Sequence, residues 1–355
     1  MPARKIPLVW KGQKDSDQTY FKYNPTTGRV VQSGFGCTSA PPPPQLPVNL
    51  VGVGSGDNTL LYSSDGGMTW TGLGNSIFTG EGNCAAWNGT LWVAGGYGIN
   101  ALAYSYDGIN WVGLGDIVTG PASTLGIITS VTWNGSIWVA VAGANDEYAT
   151  SPDGINWTGY KGVNTFGAQF LATDGNIIVG IPSVPSGSLF VSFTYDGLTW
   201  GVVIDPNLTN EQILEYTDIL WDGTQFIITV ATRGNPVNSK FYSPDGLNWT
   251  GIPNVGYVDG RNIGKTTGTL YVSRGVNPDA TETSTNGTVW TNVANPAYPV
   301  SSGIQGTIVG TDQHIIVCGY TNNTYIYTSN GTSWTLKNTD VSGNFKAAFF
   351  KKLPF

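Results

Sequence analysis

Beyond residue 47 the chain alternates short apolar runs with turns rich in Gly, Asn and Asp. Trp87-Asn88-Gly89, Trp133-Asn134-Gly135 and Trp221-Asp222-Gly223 each precede such a run: Leu91-Trp92-Val93-Ala94, Ile137-Trp138-Val139-Ala140 and Phe226-Ile227-Ile228. Weaker copies of the turn stand at Thr173-Asp174-Gly175 and Thr311-Asp312-Gln313. Asn-Gly or Asp-Gly between apolar runs predicts a hairpin, because the tight turn needs φ > 0 at its central residues. A second pattern, Ser/Thr-x-Asp-Gly-x-x-Trp, falls between copies of the first. Its copies begin at Ser63, Ser105, Ser151, Thr194, Ser243, Ser284 and Thr328 and end at Trp70, Trp111, Trp157, Trp200, Trp249, Trp290 and Trp334. The acid is Asp65, Asp107, Asp153, Asp196 and Asp245, and becomes Asn286 and Asn330 in the last two; the first copy carries one extra residue.

The tryptophans are 41, 46, 43, 49, 41 and 44 residues apart. A period of this length containing four strands is the signature of a β-propeller blade. In the second unit the strands read A (83–87), B (90–95), C (101–105) and D (111–115). The first unit has B, C and D but nothing of type A before them. At the far end Gly343-Asn344-Phe345-Lys346-Ala347-Ala348-Phe349-Phe350 resembles Gly82-Asn83-Cys84-Ala85-Ala86-Trp87. The expectation is an all-β, seven-bladed ring over 46–355 whose C-terminal strand completes blade 1 and removes a free edge. The repeated Asp and Trp then serve the scaffold: the carboxylate bonds nearby backbone N–H groups and the indole seals one blade on the next.

Composition supports this reading. Gly is 49 of 355 residues and charged residues are 11%, which disfavours both helices and disorder. Residues 1–45 form a basic extension of net charge +4, whereas 46–355 carry −11. The acidic body disfavours nucleic acid, since duplex binding requires Lys and Arg at the phosphates. In the extension, 20–23 and 29–32 around Asn24-Pro25-Thr26-Thr27-Gly28 read as a hairpin, and Pro41–Pro44 as a stiff spacer. No apolar stretch reaches 18 residues and the N-terminus lacks an apolar signal core, so neither a membrane span nor a signal peptide is expected. Cys37, Cys84 and Cys318 lie far apart with no Cys/His cluster, so neither a metal nor a cofactor is expected. His314, the single histidine, sits in the A–B turn of blade 7 without a triad setting.

The seven boxes resemble the Asp-box, or BNR, repeat, and the Trp-Asn-Gly turns resemble the WNG-type repeats of bacteria and large DNA viruses. The resemblance covers 48–355 and implies a fold without implying one activity. Asp-box rings occur in sialidases, xyloglucanases, sortilin-like receptors and a photosystem II assembly factor. The sialidase members imply an arginine triad, a Tyr nucleophile and an Asp acid/base on a six-bladed ring. This ring has Arg233, Arg261 and Arg274 only, and lacks the Phe/Tyr-Arg-Ile-Pro signature. An assembly-factor role resembles binding through an Arg-rich patch, which this ring also lacks.

Boxes and A–B turns share one face of the expected ring, so the variable B–C and D–A loops form the recognition face. Candidate binding residues there are Tyr97, Asn100, Asp146, Glu147, Arg233, Arg261, Arg274 and Tyr320. Asp205–Asp218 reads as a long D–A loop with one helical turn over 210–215. The reading is a non-enzymatic binding or structural module that displays the ring to a protein or glycan. Residues 1–45 would anchor it to a larger assembly, with a virion or cell surface as the context the resemblance implies. The alternative is a carbohydrate-active enzyme using two carboxylates from Asp146, Glu147, Glu211, Glu215, Asp218, Asp259 and Asp279.

Overall fold

The computed structural model describes residues 20–24, 29–33, 48–116, 120–122, 124–143, 147–161, 168–182, 190–204, 213–232, 238–253, 262–274, 281–293, 307–318 and 323–351. Two units separate by their contacts, Met1–Gln45 and Leu46–Phe355. In the first, β1 (Tyr20–Asn24) and β2 (Arg29–Ser33) form the expected antiparallel hairpin, in register from Tyr20↔Ser33 to Asn24↔Arg29.

In the second unit every regular element among the described residues is a strand, grouped in fours. Blade 1 holds β3 (Leu50–Ser55), β4 (Leu60–Ser63) and β5 (Thr71–Gly72). Blade 2 holds β6 (Glu81–Trp87), β7 (Trp92–Tyr97), β8 (Leu102–Ser105) and β9 (Val112–Gly113). Blade 3 holds β10 (Ile128–Trp133), β11 (Trp138–Ala142), β12 (Glu147–Ser151) and β13 (Thr158–Lys161). Blade 4 holds β14 (Ala168–Thr173), β15 (Ile178–Pro182), β16 (Phe190–Thr194) and β17 (Gly201–Ile204). Blade 5 holds β18 (Ile213–Trp221), β19 (Phe226–Thr232), β20 (Asn238–Ser243) and β21 (Thr250–Pro253). Blade 6 holds β22 (Asn262–Lys265), β23 (Tyr271–Arg274), β24 (Thr281–Ser284) and β25 (Trp290–Val293). Blade 7 holds β26 (Ile308–Gly310), β27 (Ile315–Cys318), β28 (Thr324–Thr328) and β29 (Thr335–Asn338). The last strand, β30 (Asn344–Phe350), pairs antiparallel with β3 as the missing inner strand of blade 1. A single bridge, Ser55↔Glu81, links blades 1 and 2.

The register of β30 differs from the sequence alignment by two residues. Leu50 faces Phe350 as Trp92 faces Trp87, and the bulge falls at Lys346 where blade 2 has it at Asn83. Bulges recur at the same station at Thr129, Gln169 and Thr217.

Burial follows the seams between blades. Among the described residues the buried apolar side chains form seven clusters, each astride one seam. The cluster joining blade 7 to blade 1 contains Ile316, Cys318 and Tyr325 with Leu50, Trp70 and Phe345, so the ring is closed by packing as well as by pairing. Box glycines seat each blade on the one before: a Cβ at Gly154 would lie 2.6 Å from Leu91, and one at Gly197 3.0 Å from Val139. In the first box this role falls to Gly67, whose Cβ would lie 2.3 Å from Ile316, whereas Gly66 has nothing within 4 Å. Gly66 is therefore the extra residue. This is an all-β, seven-bladed propeller closed by its C-terminal strand.

Candidate functional site

The box turns are built alike. In blade 2, Ser105 Oγ donates to Asp107 Oδ1 at 3.0 Å and accepts the Gly108 N–H at 2.9 Å. Asp107 Oδ1 also accepts the N–H groups of Ile109 (2.8 Å) and Asn110 (2.7 Å), and Oδ2 accepts Asn110 Nδ2 at 2.7 Å. Trp111 Nε1 donates to the Gly108 carbonyl at 3.1 Å. Asn286 replaces the acid because Oδ1 still accepts the Thr288 and Val289 N–H groups at 3.0 and 2.8 Å. Partial burial pushes the box carboxyls up, but the bonds from backbone and side chain outweigh it and hold Asp107 and Asp245 at about 2. Asp65, Asp153 and Asp196 are lowered by the same balance. These carboxylates work as acceptors for their own turns.

On the opposite face the expected binding residues are placed unevenly. Asp146, Arg233, Arg261 and Tyr320 lie outside the described residues. Arg274 closes β23, paired with Asn262 on one side and Thr281 on the other. Glu147 opens β12 opposite Lys161. Tyr97 ends β7 opposite Glu81, its ring packed so closely over Gly80 that a Cβ there would lie 2.1 Å away. The amide of Asn100 is engaged at both ends: Oδ1 accepts the Gly115 N–H at 2.7 Å and Nδ2 donates to the Ile77 carbonyl at 2.6 Å. Asn58 does the same in blade 1, to Gly74 and Ser342. His314 N donates to Thr311 Oγ1, and its ring meets Tyr327 edge-on at 5.5 Å.

Glu215 and Asp218 correct the sequence reading. Neither is a loop acid, and 213–215 is not part of a helical turn: both belong to β18, with Glu215 opposite Ala231 and Asp218 opposite Thr229. Two register shifts lengthen this strand, so its early polar residues join the ladder.

Residues of all seven inner strands line one axial cavity of about 380 Å³. Side chains on these strands bridge to the next blade. Asn83 Nδ2 donates to the Ile128 carbonyl at 3.0 Å, Ser130 Oγ accepts the Leu171 N–H at 3.2 Å, and Lys346 pairs with Glu81. Asp218 occupies such a station between blades 5 and 6. Its Oδ1 accepts the Ile219 N–H at 2.9 Å and its Oδ2 the Ile263 N–H at 3.2 Å. It keeps partial exposure and lines the bore. Desolvation pushes the carboxyl up to about 7, against the pull of those bonds and one from Asn262.

A second polar group crosses the same seam further out. Lys240 (2% exposed) pairs with Glu282 (1%), and its ammonium lies 4.9 Å above the Trp290 ring. Burial lowers the Lys240 pKa, opposed by the charge of Glu282. The equivalent station holds Leu60, Leu102, Tyr148, Val191 and Tyr325 in five blades and Thr281 in blade 6, so a lysine at a station otherwise without charge was the available sequence signal.

No protein-family model matches the sequence, and no curated protein matches it. Solved structures do. Virginiamycin B lyase from Staphylococcus aureus superposes with a TM-score of 0.57 at 9% identity, over 74% of this chain and 85% of that one. A streptogramin B lyase structure gives 0.57 at 9% identity over 74% and 84%. YCF48 from Cyanidioschyzon merolae gives 0.52 at 12% identity over 75% and 88%. These likenesses define the class of the chain by its fold, a β-propeller, and carry no activity to it.

Proposed function

We propose that the chain is a non-enzymatic recognition module. The ring presents its B–C and D–A loops to a protein or glycan, and the basic residues 1–45 tether it to a larger assembly such as a virion or cell surface. The observation that supports this most is the division between the two faces. On the box face, repeated side chains are turned onto the backbone of their own turns. The non-repeating segments are expected on the other face, with Arg233, Arg261, Arg274 and Tyr320 among them. A ring held at every seam loses little freedom on binding, which favours affinity for a flat or ridged partner. The Asp-box and WNG-type resemblance supports the surface context, and the asymmetry of +4 against −11 supports separate partners for the two parts.

One glycan array, read for both binding and cleavage, tests the loop face. Saturable binding without product, abolished by loop substitutions, is expected. The enzymatic alternative draws on Asp218, whose carboxyl near 7 has the property of a general acid. Product formation lost in Asp218→Asn would favour that alternative. Deleting 1–45 should leave a folded ring that no longer joins its parent assembly; unchanged incorporation would refute the tether.

A further inference from the structure

We propose that the axial channel binds a small primary ammonium ion at Asp218. The inference starts from the wall of the bore. At about 380 Å³ the cavity is in the size range of small-molecule sites. The station of Asp218 is filled in the other blades by Ala347, Cys84, Ser130, Phe170, Asn262 and Thr307, all neutral. At this level of the wall one carboxylate thus stands among uncharged side chains, while Asp222 and Lys265 line the cavity further along.

Its donors are the Ile219 N–H, the Ile263 N–H and Asn262, and none carries a full positive charge. The charged groups nearest along the neighbouring strands do not supply one. On β18 and the turn that follows it these are Glu215 and Asp222, both acids. Asp222 is held by the Thr224 and Gln225 N–H groups and by the Tyr271 hydroxyl at 2.8 Å. On β22 the ammonium of Lys265 lies 5.4 Å over the Tyr271 ring. A carboxylate enclosed without a cationic partner gains most from a ligand that brings the missing charge.

The chemistry favours an organic cation over a metal ion. Among the described residues no group of three or more His, Cys, Asp or Glu could hold a metal, and Ca²⁺ takes six to eight oxygens. An ammonium has three N–H donors. One carboxylate oxygen, with neutral oxygens of the neighbouring strand edges, matches that number. The apolar lining beside it, Phe170, Leu171, Leu220 and Trp221, suits an alkyl stem. Such a group can arrive as a free alkylamine or as the lysine side chain of a partner reaching down the bore. The site is separate from the loop-face reading, and either can fail alone.

The test is a titration followed by NMR on the full chain. The probes are n-butylammonium, n-butanol as the uncharged shape control, and Nα-acetyl-lysine methylamide as the side-chain source. Binding of n-butylammonium about tenfold tighter than n-butanol is expected, strengthening from about pH 5 to 8 as Asp218 ionises. Asp218→Asn should lose that preference while keeping the dispersed spectrum of the folded ring. Equal binding of the lysine derivative points to a partner's side chain; binding of the free amine alone points to a small ligand; both support the site. Equal affinity for n-butanol and n-butylammonium, no dependence on pH in the wild type, or no saturation at about 0.1 M would overturn it. The wild-type pH and n-butanol comparisons decide the matter even if the variant fails to fold.

Discussion

Gly154 and Gly223 both sit at positive φ, +76° and +101°, yet their surroundings differ. A Cβ at Gly223 meets nothing within 4 Å, whereas one at Gly154 meets Leu91 at 2.6 Å and the Trp138 indole at 3.0 Å. Gly223→Ala should therefore cost only the backbone strain, about 1–2 kcal/mol. Gly154→Ala should cost about 1–3 kcal/mol more, because it pushes blade 3 off blade 2. Urea unfolding of the pair reads the difference, and equal costs would remove the box glycine from the seam. Titration gives a second prediction at this scale, with two opposite signs. The box carboxyls are held below their unfolded value of about 3.9, so their contribution is present above pH 4 and is lost as pH falls through about 2. Asp218 is raised to about 7. Its contribution is complete below pH 4 and is lost as pH rises to 7, with a slope of at most about 1.4 kcal/mol per pH unit. Asp218→Asn should flatten stability between pH 4 and 7 and leave the acid limb below pH 4 unchanged. A wild-type curve already flat in that window would contradict the enclosure of Asp218.

Among the elements, β30 has the most to hold. Phe345 is 1% exposed, its ring 4.6 Å from Trp70 of blade 1 and 6.1 Å from Tyr325 of blade 7. Phe345→Ala should cost about 3–5 kcal/mol, measured by chemical denaturation, and should expose the edge of β3 to pairing with other chains. A cost below about 1 kcal/mol would mean that the strand contributes little to closure. The presence of β30 was legible because Gly343–Phe350 repeats the opening of blade 2. Its register was not: Lys346, rather than Asn344, takes the station of Asn83, although the Gly-Asn letters match at Asn344. The blades were legible for a related reason: a turn that needs Asp, Gly and Trp in fixed order leaves the same letters each time. The axial site was not. Asp218 stands one residue past the bulge at Thr217, at a station whose residue differs from blade to blade, so no repeated letter marks it. Asn100 was legible as polar and near a loop, but its two backbone partners lie 15 and 23 residues away, and no local pattern announces such a bond.

At the scale of the molecule, stability is shared among seven seams of one kind, and the ring closes non-covalently where β30 pairs with β3 inside blade 1 and where blade 7 packs on the first three strands. Tyr325 reinforces the seam between blades 7 and 1 by donating to the Met68 carbonyl at 3.0 Å, the counterpart of the bond from Tyr148 to Leu198 between blades 3 and 4. A rigid bore and a rigid loop face both require that this seam open no more readily than the others. Amide hydrogen exchange at Ala347 and Phe349 of β30, whose N–H groups face β3, compared with Val139 and Val179 within the ring, measures this directly. The closed ring predicts that all four exchange only with global unfolding; rapid exchange confined to the two β30 amides would show an open ring.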